Sequence, residues 1–520
     1  MNNTTKCINP ANGEIIGNVE LDNTSQLKEL VSEARIVQKK WKSTPLSQRI
    51  KQIKKIRDYI VDNAESIAEV ISADNGKTKV DALATEVIPV AMAITYYCKQ
   101  SKNFLKENSL SAGNILLINK RSKIVRVPYG VVGIISPWNY PFSIPFGEII
   151  KALLAGNAVI LKTASETQIV GLQIKKAVEY ANLPKNLFNY LNISGREAGD
   201  AFLESGIDKL FFTGSVQVGK YLMKIAAETL TPINLELGGN DAMIVCDDAD
   251  IDRAANGALW AGFSNAGQSC GGVERIYVHS KVYEDFLKLL KVKIENLRLG
   301  IGKDYESDMG CLTTKKQYNS VIEHIEEAKS KGAIVFAESK PPIDKELTNF
   351  LPATVLTNVT HEMKLMRDET FGPVVGVMKF DTYEEAINLA NDSYLGLTGS
   401  VWTKSSKLGN EIAQRINAGV ITINDHLMSH GLSETPWGGI KESGIGRTHG
   451  KIGFDEMTYP KVIVKDILPF VKRNLWWHPY NYNVFAGLNG MLNFLYSKSI
   501  SSRIRGMIKL IKIFPRMFRK

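Results

Sequence analysis

The sequence predicts an α/β fold in which strands and helices alternate to form parallel sheets. Two observations support this prediction. From Val131 onward short apolar strands alternate with helical segments, and the same alternation restarts after Glu236. Strands joined by helices run parallel, so ligands are expected at their carboxyl ends. The chain has 520 residues, 44% of them apolar, which suffices for two or three domains with sizeable cores.

The N-terminal part predicts a hairpin followed by helices. Residues 8–20 contain two short extended runs joined by an Asn12-Gly13 turn. From Thr24 to about Lys106 apolar residues recur at helical spacing, which predicts a run of amphipathic scaffold helices. A strand-like segment follows at 115–127.

Two α/β regions come next. In the first, strands are predicted at 131–136, 158–162, 209–213 and 233–237, with a helix at 144–154. In the second, strands are predicted at 242–246, 275–278 and 374–378, with a helix from about 250 to 263.

Residues 466–520 differ in composition from the rest of the chain. They hold ten of the 64 basic residues and one of the 54 acidic residues, so the remainder, with 54 basic and 53 acidic groups, is nearly neutral. The apolar run 484–496 is too short and too polar to span a bilayer. Aromatic residues stand before and at the start of this run: Phe470, Trp476, Trp477, Tyr480, Tyr482 and Phe485.

The end of this segment predicts a basic amphipathic helix. Ile504, Met507, Ile508 and Ile511 recur at helical spacing, and the opposite side carries Arg505, Lys509 and Lys512. This pattern favours binding to an anionic membrane surface. A dimer-packing arm is the main alternative. Nucleic acid is not an expected partner, because the aromatic residues precede the charges instead of interleaving with them.

The cysteine pattern indicates a reducing compartment. The five cysteines are odd in number, widely spaced and free of C-x-x-C pairs, which disfavours a disulfide framework or a zinc site: Cys7, Cys98, Cys246, Cys270 and Cys311. The start of the chain has no apolar segment typical of a secretory signal. We therefore expect a cytoplasmic protein, peripheral on the inner face of a membrane, with no metal site.

Cys270 lies in the stretch Phe-Ser-Asn-Ala-Gly-Gln-Ser-Cys-Gly-Gly, 263–272, which is rich in small residues. Glycines beside a thiol cost conformational entropy that a packing residue has no reason to incur, and they leave the Cys270 N–H free to face a developing oxyanion. Glu236 lies 34 residues upstream between two leucines. An apolar setting raises a carboxyl pKa toward the range of a general base.

These two stretches resemble the aldehyde dehydrogenase superfamily, whose signatures are an E-L-G-G and a G-Q-x-C segment at about this separation. The resemblance covers roughly residues 8–465 with six motifs in order. It implies a Rossmann-like cofactor domain (1–112 and 128–237), a catalytic domain (238–435) and oligomerisation strands (113–127 and 450–465), with 466–520 as an extension. A homodimer or homotetramer is expected.

The resemblance also implies the catalytic roles. Cys270 would be the nucleophile, Glu236 would activate the hydrolytic water, and Asn139, in the Pro-Trp-Asn-Tyr-Pro loop, would complete the oxyanion hole. NAD or NADP would accept the hydride. The implied cofactor contacts are Trp138, Lys162, Ser165, Gly214, Ser215, Gly219, Glu369 and Phe371. Ser165 stands where many NAD-preferring relatives have a glutamate, so the choice between NAD and NADP stays open.

Several alternatives remain. A coenzyme-A-acylating enzyme usually lacks the glutamate that is present here as Glu236. A cysteine hydrolase of another class would need a histidine partner, and none of the seven His lies in a recognisable motif. A catalytically inactive binding protein is the third possibility. The basic tail, residues 466–520, favours a lipophilic or long-chain aldehyde as the substrate. Ile144 and Gly147 are the expected residues of the tunnel wall. A small soluble semialdehyde, with the tail serving assembly, is the alternative.

Overall fold

The computed structural model describes residues 4–518, apart from 115–116, 302–304, 343 and 345. The chain forms two units. One comprises Met1–Leu105 and Val127–Tyr459, and the other comprises Lys106–Arg126 and Pro460–Lys520.

The first unit begins with the predicted hairpin and helices, which are both confirmed. The antiparallel strands are β1 (Thr4–Ile8) and β2 (Ile15–Glu20), and Gly13 in their turn has a φ of 75°. Five helices follow: α1 (Leu27–Trp41), α2 (Leu46–Asp62), α3 (Ala64–Asn75), α4 (Lys79–Ala82) and α5 (Ile88–Phe104). A π-helical segment, Leu83–Val87, joins the last two.

Among the described residues, one helical stretch, Lys79–Phe104, is long and apolar enough to cross a membrane by composition alone. Its Val90, Ile94 and Tyr97 are buried in the core of the first unit. Core helices of globular proteins have the same composition, so the stretch is explained by its packing.

The first α/β region follows the predicted alternation. After β3 (Asn108–Leu110) and β4 (Lys120–Pro128), it comprises β5 (Val131–Ile135), α6 (Ser143–Ala155), β6 (Ala158–Lys162), α7 (Gln168–Glu179), β7 (Phe188–Leu191), α8 (Gly195–Glu204), β8 (Lys209–Thr213), α9 (Val216–Thr229) and β9 (Ile233–Glu236). The parallel strands lie in the order β9-β8-β5-β6-β7. Each predicted strand and the predicted helix are confirmed to within one residue.

The second α/β region also matches its prediction, with ends shifted by up to two residues. It comprises β10 (Asp241–Val245), α10 (Ile251–Phe263), β11 (Val273–His279), α11 (Tyr283–Glu295), α12 (Lys315–Ser330), β12 (Ile334–Glu338), β13 (Thr354–Thr357), β14 (Val374–Phe380), α13 (Tyr383–Asn391), β15 (Thr398–Trp402), α14 (Ser406–Ala413) and β16 (Val420–Ile423). The sheet order is β12-β13-β14-β11-β10-β15-β16, and only β12 pairs antiparallel among these described strands.

Each sheet has its own hydrophobic core. One core runs from Leu27 to Leu237 and includes Phe454 and Met457, whereas the other runs from Ala242 to Ile416. The central strands β5, β6, β10 and β11 are buried along their whole length. Helices therefore cover both faces of each sheet, as parallel sheets require.

The predicted strand at 450–465 is wrong in its first part. After α15 (Met428–Gly431) and β17 (Gly444–Ile445), the first part of the predicted strand is the helix α16 (Gly450–Asp455). The strand β18 (Thr458–Asp466) begins only after this helix. The helical turn is held by packing, because the fully buried Phe454 lies against the rings of Tyr97 and Phe104. This burial outweighs the low helix propensity of its two glycines.

The second unit combines a small sheet with two helices. The sheet order is β18-β4-β3. The predicted segment 115–127 is a strand from Lys120 onward, and residues 115–116 lie outside the described residues. The helices, α17 (Tyr482–Tyr496) and α18 (Ile500–Ile513), pack against each other over a core of Leu475, Leu510 and Ile513. The predicted amphipathic helix is thus confirmed as a helix.

Candidate active site

Cys270 lies on a tight turn between α10 and β11. After α10 ends at Phe263, Asn265 and Ala266 adopt left-handed φ angles of 51° and 54°. Gly267 has a φ of 71°, and a side chain there would collide with the carbonyl of Gly372. The half-buried thiol of Cys270 is therefore fixed by a strained segment. Burial is the main cause that raises its pKa, and Glu369, Asp241 and Glu236 add to the effect.

Glu236 ends β9 and has an unusual environment. Both carboxyl oxygens are buried, and neither has a hydrogen-bond partner in the described part of the chain. Burial raises the pKa of this carboxyl well above its ordinary value, and Glu148 adds to the rise, whereas Arg447 and Lys151 oppose it. A buried, unpartnered carboxyl is costly unless a water or ligand binds it.

Asn139 follows β5 and is tied to the Cys270 turn. Its side-chain amide donates to the carbonyl of Gln268 at 3.1 Å, and its backbone carbonyl accepts from Asn265 Nδ2 at 2.9 Å. Lys77 Nζ donates to the same carbonyl at 2.9 Å. The structure therefore holds the predicted oxyanion-hole amide beside the residues that precede Cys270.

A buried ion pair supports the Asn139 loop. Lys77 Nζ lies 2.7 Å from Glu86 Oε1, and both side chains are fully buried. The other oxygen of Glu86 accepts from the Phe142 and Ser143 N–H groups at 2.7 and 3.1 Å. Sequence reasoning missed this pair, because charged residues in a helical region usually lie in solvent.

A cavity of about 380 Å³ opens beside Cys270 at the carboxyl ends of the first sheet. It is lined by Trp138, Asn139, Gly214, Ser215, Glu236, Cys270, Glu369 and Phe371, all of which the sequence predicted, together with other residues that include Glu166, Thr314 and Gln317. The start of α9 faces this cavity through Gly214 and Ser215, and free N–H groups at a helix start suit a pyrophosphate. The residues present therefore fit a dinucleotide.

Three predicted cofactor contacts lie elsewhere among the described residues. Gly219 is buried in the first turn of α9, where a Cβ would lie 2.7 Å from the Leu237 side chain. Lys162 is buried at the end of β6, which lowers its pKa. Ser165 begins the short 3-10 helix Ser165–Thr167 and is not among the lining residues, whereas its neighbour Glu166 is.

Two residues that sequence reasoning missed shape the Glu369 and Phe371 loop. The buried carboxylate of Glu274 accepts from the N–H groups of Thr370 and Phe371 at 3.0 and 2.8 Å, and from Asn240 Nδ2 at 2.7 Å. This network holds Phe371 at a φ of 54°, with its ring 5.5 Å from that of Trp138. An acidic residue inside the apolar β11 is the signal that could have indicated it.

A second cavity, of about 160 Å³, also borders Cys270. Its wall is mainly apolar and aromatic and includes Tyr140, Trp260, Leu427, Met428 and Trp437. The expected tunnel-wall residues line two much smaller spaces instead. Ile144 lines one shared with Cys270 and Glu236, and Gly147 lines another beside His430.

Comparison with known proteins agrees with this site. The model of the Aldehyde dehydrogenase family matches residues 1–463. The 4,4'-diapolycopene aldehyde oxidase of Methylomonas sp is 34% identical over 495 residues, which cover 95% of this chain and 92% of the relative. A Mycobacterium ulcerans (strain Agy99) protein with the provisional name succinate-semialdehyde dehydrogenase [NADP(+)] 2 is 35% identical over 452 residues, which cover 87% of this chain and 86% of that protein.

A solved structure of an aldehyde dehydrogenase has the same fold as this chain. The NAD+ complex of an aldehyde dehydrogenase from Bacillus cereus superimposes with a TM-score of 0.84 and 34% identity, covering 89% of this chain and 93% of that one. The two-sheet fold, the cavity that fits a dinucleotide and these matches lead to one conclusion. The chain belongs to the aldehyde dehydrogenase family and is an NAD(P)-dependent enzyme that oxidises an aldehyde.

Proposed function

We propose that this enzyme oxidises a lipophilic or long-chain aldehyde to its carboxylic acid through a thioester on Cys270. One observation carries the proposal: Cys270 lies between a cavity that fits the cofactor and a second cavity whose wall is mainly apolar and aromatic. One relative is named for a diapolycopene aldehyde and another for succinate semialdehyde. The apolar wall favours the first kind of substrate, because a carboxylate would lose its hydration there.

In the proposed reaction the Cys270 sulfur attacks the aldehyde carbon. The resulting oxyanion accepts from the Cys270 N–H and from the Asn139 amide, which has a second N–H besides the one given to Gln268. Gly214, Ser215 and Phe371 line the cavity that would hold NAD or NADP, and the bound cofactor would supply the acceptor for the hydride lost from that carbon. The carbonyl re-forms as the thioester.

Glu236 then activates the hydrolytic water. Its unpartnered carboxylate accepts a proton from the water, whose oxygen attacks the thioester carbon. The sulfur leaves, the acid is released, and the thiolate is ready for another turnover. Aldehyde and water thus give the acid, with one hydride passed to the cofactor and one proton to solvent.

We propose that NADP is accepted alongside NAD, because Ser165 has no charge to repel a 2′-phosphate and Lys162, at the end of β6, places a cation three residues before it. Glu166 lines the cavity one residue further on. Glu166→Gln should therefore raise kcat/KM for NADP relative to NAD, and Ser165→Glu should lower it. A cofactor preference that neither variant changes would contradict this proposal.

The tail is proposed to bind an anionic membrane surface on the cytoplasmic side. Leu510 and Ile513 of α18 are buried against α17, so the hairpin does not need the remaining apolar side chains. Those side chains are exposed: Ile500 76%, Ile504 52%, Ile508 48% and Ile511 54%. Basic residues near an anionic surface each contribute about 1 kcal/mol. A tail that serves assembly is the alternative, and a homodimer or homotetramer is itself proposed.

A liposome flotation experiment tests the membrane proposal. The triple variant Ile504→Ser/Ile508→Ser/Ile511→Ser should stop floating with anionic vesicles and should lose more activity on membrane-dissolved hexadecanal than on soluble hexanal. The control Ile36→Ser/Val61→Ser changes equally exposed residues of the first unit. Deletion of 466–520 should have at least the effect of the triple variant. Equal flotation of all the proteins would refute membrane binding through the tail.

A further inference from the structure

The apolar cavity beside Cys270 borders a second, larger cavity. This outer cavity has a volume of about 470 Å³. Ala84, Thr85, Trp260 and Ser264 line both cavities, so the two meet at these side chains. Three of the four are small, and the Ser264 hydroxyl donates to Asp81 Oδ1 at 3.2 Å. The junction is therefore a gap between small residues and the indole of Trp260.

The outer cavity suits an uncharged occupant. Leu259, Phe263, Leu297 and Met309 form its apolar part. Three charged side chains also reach it, and each is already bound. Lys293 pairs with Asp252 at 2.8 Å, Asp308 pairs with Arg298 at 2.9 Å, and Asp81 accepts from the Asn265 N–H at 2.7 Å. An ionic ligand would have to compete with these partners, whereas a hydrocarbon chain would not.

Volume decides what the inner cavity can hold. A cavity of about 150 Å³ accommodates one benzene molecule, or roughly six carbon atoms. The inner cavity is about 160 Å³, so it holds the reacting end of an aldehyde and only a few further carbons. The rest of a longer chain must leave it.

We infer that the distal chain of a long aldehyde passes between Trp260 and the small residues Ala84, Thr85 and Ser264 and occupies the outer cavity. This inference rests on the proposed function and assigns a binding site for the hydrocarbon chain. Residues that line only the outer cavity then determine the activity on long substrates, without touching the chemistry at Cys270.

Ser307 provides the test, because it lines only the outer of these two cavities and is small. Ser307→Trp, which places an indole in the outer cavity and narrows it, should lower kcat/KM for hexadecanal by about tenfold or more. It should leave hexanal turnover unchanged, and the control Ser307→Ala should leave both unchanged. Unchanged hexadecanal kinetics in Ser307→Trp would overturn the inference. If wild-type enzyme oxidises hexanal and not hexadecanal, the proposed substrate class fails instead.

A second measurement uses the wild-type protein and so does not depend on how a variant folds. Hexadecanal with a diazirine at its far end is photolysed with the enzyme in the absence of NAD and NADP, so that the probe is not oxidised, and the labelled peptides are identified. Label in 259–263 and 293–309 is expected. Label confined to 427–437, at the other wall of the inner cavity, would overturn the inference, because the chain would then leave without entering the outer cavity.

Discussion

The raised pKa of the Glu236 carboxyl affects both the activity and the stability of the protein. Its two carboxyl oxygens are buried without a partner among the described residues, and burial, followed by the charge of Glu148, raises its pKa well above the ordinary 4.5. A carboxyl acts as a base only when it is deprotonated. Water activation is therefore present above the raised pKa and is lost as the pH falls through it.

The first prediction concerns the pH dependence of hydrolysis. Steady-state kcat should rise with pH through a midpoint well above 4.5, the ordinary value for the Glu236 group. Glu236→Gln should remove this rise while the first-turnover burst of NADH or NADPH persists, because hydride transfer precedes hydrolysis. Stopped-flow absorbance measures both phases. A burst-free Glu236→Gln enzyme, or one with wild-type kcat, would exclude the proposed role.

The same pKa shift has a consequence for folding. When the pKa of a carboxyl is higher in the folded than in the unfolded state, the free energy of unfolding of the protein falls as the pH rises from the unfolded pKa through the folded one. Glu236→Gln should therefore melt at a higher temperature than wild type at neutral pH. This thermal result controls for the possibility that the variant is inactive because it is unfolded.

The second prediction concerns the buried Lys77–Glu86 pair. Lys77→Met should destabilise the protein by about 3–5 kcal/mol, because it leaves the Glu86 carboxylate buried without its cation. It should also lower kcat/KM, since the Asn139 carbonyl loses a donor. The double variant Lys77→Met/Glu86→Gln removes the unpaired charge and should recover part of the stability. Urea unfolding and steady-state kinetics measure the two effects; additive losses in the double variant would contradict them.

At this scale the sequence predicted the residues that stand in motifs. The residues around Cys270 and Glu236 indicate their chemistry, the family resemblance adds Asn139, and the structure brings all three to one cavity. Lys77, Glu86 and Asn240 could not be predicted, because their side chains are bound by backbone groups of Asn139, Phe142 and Asp368, which are distant in the chain. Glu274 left one signal, an acidic residue inside an apolar strand. Ser165 and Glu166 differ by one position, and only the conformation of the chain after β6 shows which of them faces the cavity.

In the α17–α18 hairpin the hydrophobic pattern predicts a helix but not the face by which it packs. The stripe of Ile504, Ile508 and Ile511 predicted a helix, yet these residues are exposed and a different face packs on α17. Close contact at Gly490 sets that packing, since a Cβ there would lie 2.7 Å from the carbonyl oxygen of Gly506. Two helices can approach so closely only where side chains are missing.

The third prediction tests this contact. Gly490→Leu should separate the two helices and increase amide hydrogen exchange across 482–513, because the new side chain collides with the backbone of α18. Asn489→Leu, at the exposed neighbouring position, is the matched control and should leave the exchange unchanged. Similar protection in the two variants would show that the contact does not hold the hairpin together.

Strands and helices differ in how well the sequence predicted them. The seven apolar strands predicted between helical segments lie within two residues of the observed strands, because buried parallel strands are continuous apolar runs. The strands β7, β12, β13, β15 and β16 were not predicted. The helix α16 was missed. Its sequence, Gly-Lys-Ile-Gly-Phe-Asp, has two glycines in six residues, and its conformation depends on Phe454 packing against Tyr97 and Phe104.

On the scale of the whole molecule, the positive charge lies at one end of the chain and the cavities lie in the body. The body is nearly neutral, and the excess positive charge lies in 466–520. The inner and outer cavities are lined by residues scattered between Thr78 and Trp437, so no local pattern could have predicted their volumes. Fold class and family, in contrast, follow from the alternation of elements and from motifs that each occupy a few residues.

The central claim is that Cys270 carries the acyl group and Glu236 removes it. The most direct measurement is mass spectrometry of Glu236→Gln, mixed with hexadecanal and NAD or NADP and quenched in acid. The account predicts an increase of one hexadecanoyl group per chain, located on the peptide that contains Cys270 and absent from the Cys270→Ala control. An unmodified protein, or an acyl group on a different residue, would contradict it.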